Sequence, residues 1–371
     1  MAVVDQPDTV GLQTIGDFEA ALGTWPRGER LEAIRAAGLS FKERFKQGGE
    51  ILGLRTYDLA SAPYPTKMAL GGAAVGVNPF VSLQPRMMVI QFEGFDGARK
   101  TLVWQPLVPD GSREAPFYKQ LSEQMPEWLE KVTVDYRHDV DEAVHLAGLD
   151  MDEVDFVAFD HLHVQDMRRL LGTTEAVDGR SEPWPPMFPR GKWICQRKEL
   201  DTFKSIHPLQ WAWYVDGGMD HAIEDNLLAI DDDVLLGKGV ALVRTPGHTD
   251  GNQSLVINTP DGVWVSSENG VCMDNWQPEL SKIPGVRRYA EFFNREVILN
   301  SNTLEDASEQ YDSMVLERTL ADPGRRDPRW LNIFPSSEMA SLKRQWPVVP
   351  TFSQSDLRYG EIRKPDAAAN G

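Results

Sequence analysis

The segment EVDFVAFDHLHVQDM, residues 153–167, constrains this 371-residue chain more than any other. Its first half is an apolar run that reads as a buried strand. Its second half carries His161 and His163 two residues apart, in a chain with seven histidines. On an extended strand, side chains two apart point to the same side. Both imidazoles can therefore face one point at the strand's end. The pair alone also reads as two unrelated histidines, one packed and one exposed.

The rest of the pattern supplies the surroundings of that strand. Residues 1–49 read as an N-terminal helical extension, with Leu31, Ile34, Ala37 and Leu39 at helical spacing and Gly48-Gly49 at its end. Strand-like ILGLRTYDLA and RMMVIQFEGFDGARKTLVWQPLV follow, and Asp96-Gly97 marks a hairpin in the second. DVDEAVHLAGL reads as a helix before the histidine strand, and DMRRLLG as a short helix after it. KWICQ reads as a strand, RKELDTFKS as a helix, and VALVRT, SLVINT and VWVSS as three more strands. The last third is helix-rich, with Ala307, Tyr311, Met314 and Val315 at helical spacing. Strands in two runs, with helices between and after them, predict a two-sheet core flanked by helices rather than a doubly wound parallel sheet. Neither the dinucleotide-binding glycine pattern nor a phosphate loop is present.

Composition narrows the function classes. A net charge of −18 with no basic stripe argues against a nucleic-acid partner. No apolar run approaches the roughly 18 residues needed to span a bilayer, so no membrane partner is expected. Cys195 and Cys272 form no disulfide framework. The first residues lack the basic start and apolar core of a secretory signal. A reducing cytoplasm is the expected location.

A second motif joins the first. In RTPGHTDGNQSL a strand feeds a Pro-Gly turn that presents His248, and the glycines let the backbone bring that side chain into a cleft. Three neutral imidazoles on one divalent ion, with a fourth position open, make metal-bound hydroxide near neutral pH. Together the two motifs resemble the metallo-β-lactamase fold superfamily. AGLDMDEVDFVAFDHLHVQD resembles its helix-strand-HxHxDH segment, MFPRGKWICQRKEL the strand and helix of its lactonase-like branch, and LLGKGVALVRTPGHTDGNQSLVI its PGHT turn. The resemblance implies a four-layer αββα sandwich over residues 50–345, with 1–49 as the extension and 346–371 as a C-terminal tail. It also implies that His161, His163 and His248 bind a metal.

The chain departs from that family at the second metal site. Gln165 stands where the motif has its aspartate, Asp166 where it has its last histidine, Glu268 at the bridging aspartate, and Ser337 at the final histidine. The expectation is one divalent transition ion, zinc by default, with manganese or iron as alternatives. Glu268 is expected as a fourth ligand or general base, and Asp166 as a group that orients the water or fixes a ligand's tautomer. Capping of the helix MRRLLG is the other reading of Asp166. Glu338 is a spare oxygen donor should a second, harder ion bind. The implied activity is hydrolysis of a lactone, ester or amide. A binding or regulatory protein with a degenerate site, or a metal-dependent redox enzyme, is the alternative. The expected partner is a small molecule, with homodimerisation left open. His138, His145, His207 and His221 read as structural or surface residues, and Cys272 as a packed small residue. The tryptophan-bearing EPWPPMFP, LQWAWYVDGG and CMDNWQPEL are candidate cleft walls.

Overall fold

The computed structural model describes residues 11–124, 126, 133–302 and 306–364. Residues 1–10 of the expected extension and 365–371 of the expected tail lie outside the described residues. One sheet runs, in spatial order, through Gln13–Ile15, Asp233–Gly237, Val240–Arg244, Gln253–Thr259, Gly262–Ser267 and Ile333–Pro335. The main path of the other is Arg358–Gly360, Gly53–Asp58, Phe80–Glu93, Arg99–Trp104, Phe156–Ala158, Lys192–Gln196 and Leu227–Ile230. From Arg99–Trp104 onward its neighbours are parallel. Parallel pairs need crossovers, and the helices Val140–Leu146, Met167–Leu171 and Arg197–Lys204 lie in these connections.

Alternation along the strands builds the layers. Met88, Ile90 and Phe92 face the gap between the sheets, where they pack with Leu102, Phe156, Leu242, Leu255 and Trp264. Their neighbours Met87 and Val89 face outward, onto Val140, Leu170 and Phe203 of the crossover helices. On the other sheet Ala241, Val243, Val256 and Val265 pack outward against Ile34, Phe41, Met314 and Val315. Period-two strands with both faces apolar leave room for a helical layer on each side. This is the αββα sandwich that the sequence predicts. The hairpin at Asp96-Gly97 is also present, joining two antiparallel strands.

The ends of the described chain join the sheets and helices of the core. Within residues 11–49, Gln13–Ile15 adds an edge strand against Asp233–Gly237, and the helix Arg27–Gln47 packs on the helix Ala307–Leu320. In the expected tail, Arg358–Gly360 pairs with Gly53–Asp58. The strands Leu227–Ile230 and Asp233–Gly237 were not legible, because each is short and the acidic run Asp231-Asp232-Asp233 interrupts their apolar pattern. Among the described residues no helix is long and apolar enough to cross a membrane.

The contact between the two long helices depends on Gly38. A Cβ there would lie 2.9 Å from Thr319 Cγ2 and 3.2 Å from Leu316 Cδ1. Gly38→Leu is expected to push the helices apart and to cost about 1–3 kcal/mol, the range for overpacking. A denaturant titration checks this. An unchanged midpoint would mean that the N-terminal helix is not an integral layer.

Candidate metal centre

The histidine pair does not lie on the strand itself. Phe156–Ala158 ends before it, and His161 and His163 occupy the loop beyond. Hydrogen bonds to other parts of the fold replace the ladder there. Leu162 N donates to Glu199 Oε1 at 2.7 Å, Val164 N to Trp213 O at 2.7 Å, and Gln253 N to Asp160 O at 2.9 Å. Val164 takes a left-handed conformation, φ 57°, which turns the chain into the next helix. The two rings still converge, with centroids 4.7 Å apart.

His248 arrives from the turn between Val240–Arg244 and Gln253–Thr259. Gly247 has φ 128°, and a Cβ on it would lie 2.1 Å from Gln310 N, so only glycine fits. Thr249 Oγ1 donates to Glu199 Oε2 at 2.6 Å, and Tyr214 OH donates to Glu199 Oε1 at 2.7 Å. The fully buried Glu199 thus anchors both histidine-bearing segments.

The three imidazoles form one cluster, with donor atoms within 4.8 Å of one another and all three residues buried. His163 Nδ1 and His248 Nε2 are 3.3 Å apart. That matches the edge, about 3.3 Å, of a tetrahedron with metal–nitrogen bonds of about 2.0–2.1 Å. The outward nitrogens are held too. Asp160 Oδ1 lies 2.7 Å from His161 Nδ1, and Gln210 Oε1 lies 2.6 Å from His163 Nε2. These contacts aim His163 Nδ1 into the cluster as a lone-pair nitrogen, and His161 Nε2 likewise once that ring has lost its second proton, the arrangement a metal ligand needs. Burial, aided by the nearby His161 charge, pushes His163 and His248 well below the usual imidazole range, so both are neutral. Burial would lower His161 as well, but Asp160 overrides it and the ring is raised to about 9. The donor set fits a divalent transition ion.

The remaining expected site residues divide. Glu268 falls in a second group with Asp160 and His161, so of the three histidines it shares only His161. Its Oε2 accepts from Ser337 Oγ at 2.9 Å. Burial raises its carboxyl to about 7, with Asp160 adding to the shift and His161 opposing it. Gln165 and Ser337 line the same cavity. Asp166 takes the capping place that was its other reading: it caps the helix Met167–Leu171 and is held by Arg168 at 2.8 and 2.9 Å and by Arg169 at 3.3 Å. Glu338 pairs with Arg86, whose Nη1 lies 2.5 Å from its Oε2, and Gln354 N donates to its Oε1. His138, His145, His207 and His221 lie outside the cavity lining. Cys272 is buried and caps the short helix Met273–Trp276.

The cavity above the centre is walled by Tyr64, Leu107, Tyr118, Leu121 and Trp213. Of the three tryptophan-bearing segments, LQWAWYVDGG supplies a wall residue. Trp276 is buried in the helical layer, and Trp184 is covered by Arg180. Sequence reasoning missed Asp160, Glu199 and Gln210. Asp160, adjacent to the first histidine, was the one that could have been flagged.

No protein-family profile matches the chain. Among solved structures it is similar to AidC, a dizinc quorum-quenching lactonase in complex with the product N-hexanoyl-L-homoserine. That match has a TM-score of 0.50 and 10% identity, over 85% of this chain and 96% of that one. An N-acyl homoserine lactone hydrolase with N-hexanoyl-L-homoserine bound at its catalytic metal centre aligns at TM-score 0.43 and 16% identity, over 66% and 90%. The hydrolase AbOPH, of the beta lactamase superfamily, aligns at TM-score 0.44 and 11% identity, over 85% and 99%.

Gln210→Leu removes the acceptor that orients His163 and is expected to weaken any divalent-metal binding by the cluster about 10–100-fold, the usual effect of losing such a partner. Chelator competition measures the affinity, and circular dichroism checks the fold. Wild-type affinity in a folded variant would remove Gln210 from the support of the centre.

Proposed function

Starting from a metallo-β-lactamase fold of the lactonase-like kind, we propose that the protein is a metal-dependent hydrolase of a lactone, ester or amide in a small molecule. The observation that carries this reading is the convergence of three buried imidazoles, with His163 Nδ1 and His248 Nε2 3.3 Å apart, beside a cavity. His161, His163 and His248 would hold one divalent transition ion, with zinc the first choice. When bound, such an ion supplies Lewis acidity and activates water near neutral pH.

The chain's own groups do the rest. Glu268, in the cavity wall and steadied by Ser337, takes the proton of the attacking water and returns it to the leaving oxygen or nitrogen. Asp160 and Gln210 keep the imidazoles in register. The aromatic and aliphatic wall receives the apolar part of the substrate and excludes water from it. Both cysteines are free and buried, in keeping with a cytoplasmic setting.

Metal analysis of protein purified without added metal is expected to give one ion per chain. His248→Ala deletes one of three donors, so metal content and melting temperature should both fall, because a ligand held by the folded state stabilises it by mass action. Ser337→Ala should keep its metal, with a stability change within about 1 kcal/mol. Equal metal loss in the two variants would show that the centre has been placed on the wrong residues.

Glu268→Gln is expected to lower turnover by roughly 10²-fold or more while leaving the fold intact. Steady-state rates on a panel of lactones, esters and amides measure this. Full turnover in a metal-loaded Glu268→Gln protein would remove the residue from the mechanism. A loaded wild type inert towards the whole panel would favour a non-hydrolytic role.

A further inference from the structure

Tyr118 brings an open hydroxyl into the cavity that also holds Glu268. It belongs to the helix Pro116–Gln124, which presents Tyr118, Leu121 and Ser122, at helical spacing, along one side of the cavity. The helix is fixed at its start, where Phe117 N donates to Ala212 O at 2.9 Å. The Phe117 ring packs on Trp213 at 4.7 Å and meets Tyr118 edge-on at 5.1 Å. Trp213 O in turn accepts from Val164 N, next to His163. A short chain of contacts thus sets the Tyr118 ring relative to the imidazoles.

Two polar ends remain open here. Among the described residues the Tyr118 hydroxyl makes no hydrogen bond, whereas Tyr64 of the same wall donates its own to Asn300 Oδ1 at 2.7 Å. Burial and the charge of Glu268 push the Tyr118 phenol up, so it keeps its proton and acts as a donor. In the Glu268 carboxyl, Oε2 accepts from Ser337, while Oε1 meets no donor among the described residues. Phenylalanine would fill the wall at Tyr118 without a hydroxyl to satisfy. An atom that accepts from Tyr118 and takes a proton from Glu268 would complete the arrangement, and the leaving oxygen of an ester does both.

We propose that Tyr118 is a catalytic residue whose hydroxyl donates to the leaving oxygen of an ester or lactone. The inference rests on the hydrolase reading and narrows its substrates to compounds that cleave at oxygen. In the reaction a bond forms between the water oxygen and the acyl carbon, and the bond from that carbon to the leaving oxygen breaks. A proton of the water passes through Glu268 to the leaving oxygen, and Tyr118 keeps its own. The hydrogen bond from Tyr118 strengthens as negative charge gathers on that oxygen, so it lowers the barrier more than it tightens binding. An amide fits less well, because its nitrogen presents an N–H donor rather than an acceptor to the phenol.

The test compares metal-loaded full-length wild type and Tyr118→Phe on two matched sets that differ in the leaving atom. One set is ethyl butyrate, S-ethyl thiobutyrate and N-ethylbutyramide. The other is δ-valerolactone, δ-thiovalerolactone and δ-valerolactam. Steady-state kcat and KM, metal content and melting temperature are read for each protein. Tyr118→Phe is expected to keep its metal and to lose about 10–100-fold in kcat on the oxygen compounds, the range for a hydrogen bond to a charged group. The sulfur compounds should lose less, because sulfur is a weak acceptor. Equal losses on oxygen and sulfur overturn the inference, since a contact with the carbonyl oxygen or a prop for the wall would behave that way. So does an undiminished rate on the oxygen compounds, or a wild type that cleaves the amides but neither oxygen compound. A metal-loaded wild type inert towards both sets overturns the hydrolase reading instead and takes the inference with it.

Discussion

The carboxylate of Glu199 is the group on which the arrangement of the centre depends. A buried carboxylate is costly unless its oxygens are hydrogen-bonded. Here it accepts from Leu162 N, Tyr214 OH and Thr249 Oγ1, which belong to three segments far apart in sequence. Leu162 lies between the two histidines of one loop, Thr249 follows the third histidine, and Tyr214 lies four residues past Gln210. The backbone of the PGHT turn is pressed close as well, since a Cβ on Gly251 would lie 2.2 Å from Glu199 N. One side chain thereby sets the mutual position of three imidazoles and of the amide that orients one of them.

What could be read from the sequence was what is encoded locally. Alternating apolar residues gave both sheets and the crossover helices, and a histidine pair after an apolar run, with a histidine in a Pro-Gly turn, gave the three imidazoles. What could not be read depends on distant partners. Nothing near Glu199 or Gln210 in the chain shows that they reach residues 37–50 and 47 positions away. Asp166 is the opposite case. Its place in a familial motif suggested chemistry, while Arg168 and Arg169, two and three residues on, were the local signal that it would be paired. The pairing of Gln13–Ile15 with Asp233–Gly237 was hidden for the same reason as Glu199.

The acidic groups around the centre fall into two kinds. Asp166 and Glu338 are committed to guanidinium partners and serve the scaffold. Asp160 and Glu268 stay with His161 and one another. The two clusters share His161: one adds His163 and His248, and the other adds Asp160 and Glu268, whose carboxyl has a raised pKa. Groups whose environments drive their protonation apart in this way are suited to divided acid–base roles.

The strands Gln13–Ile15 and Arg358–Gly360 each occupy one outer edge of a sheet. An unpaired edge is a row of open backbone donors and acceptors, ready to template association with another chain. Each of these edges is three residues long, and so short an edge offers little length for another strand to pair with. A shortened chain lacking the first would bare Asp233–Gly237, and one lacking the second would bare Gly53–Asp58. Truncation at either end would therefore trade a three-residue edge for one of five or six residues.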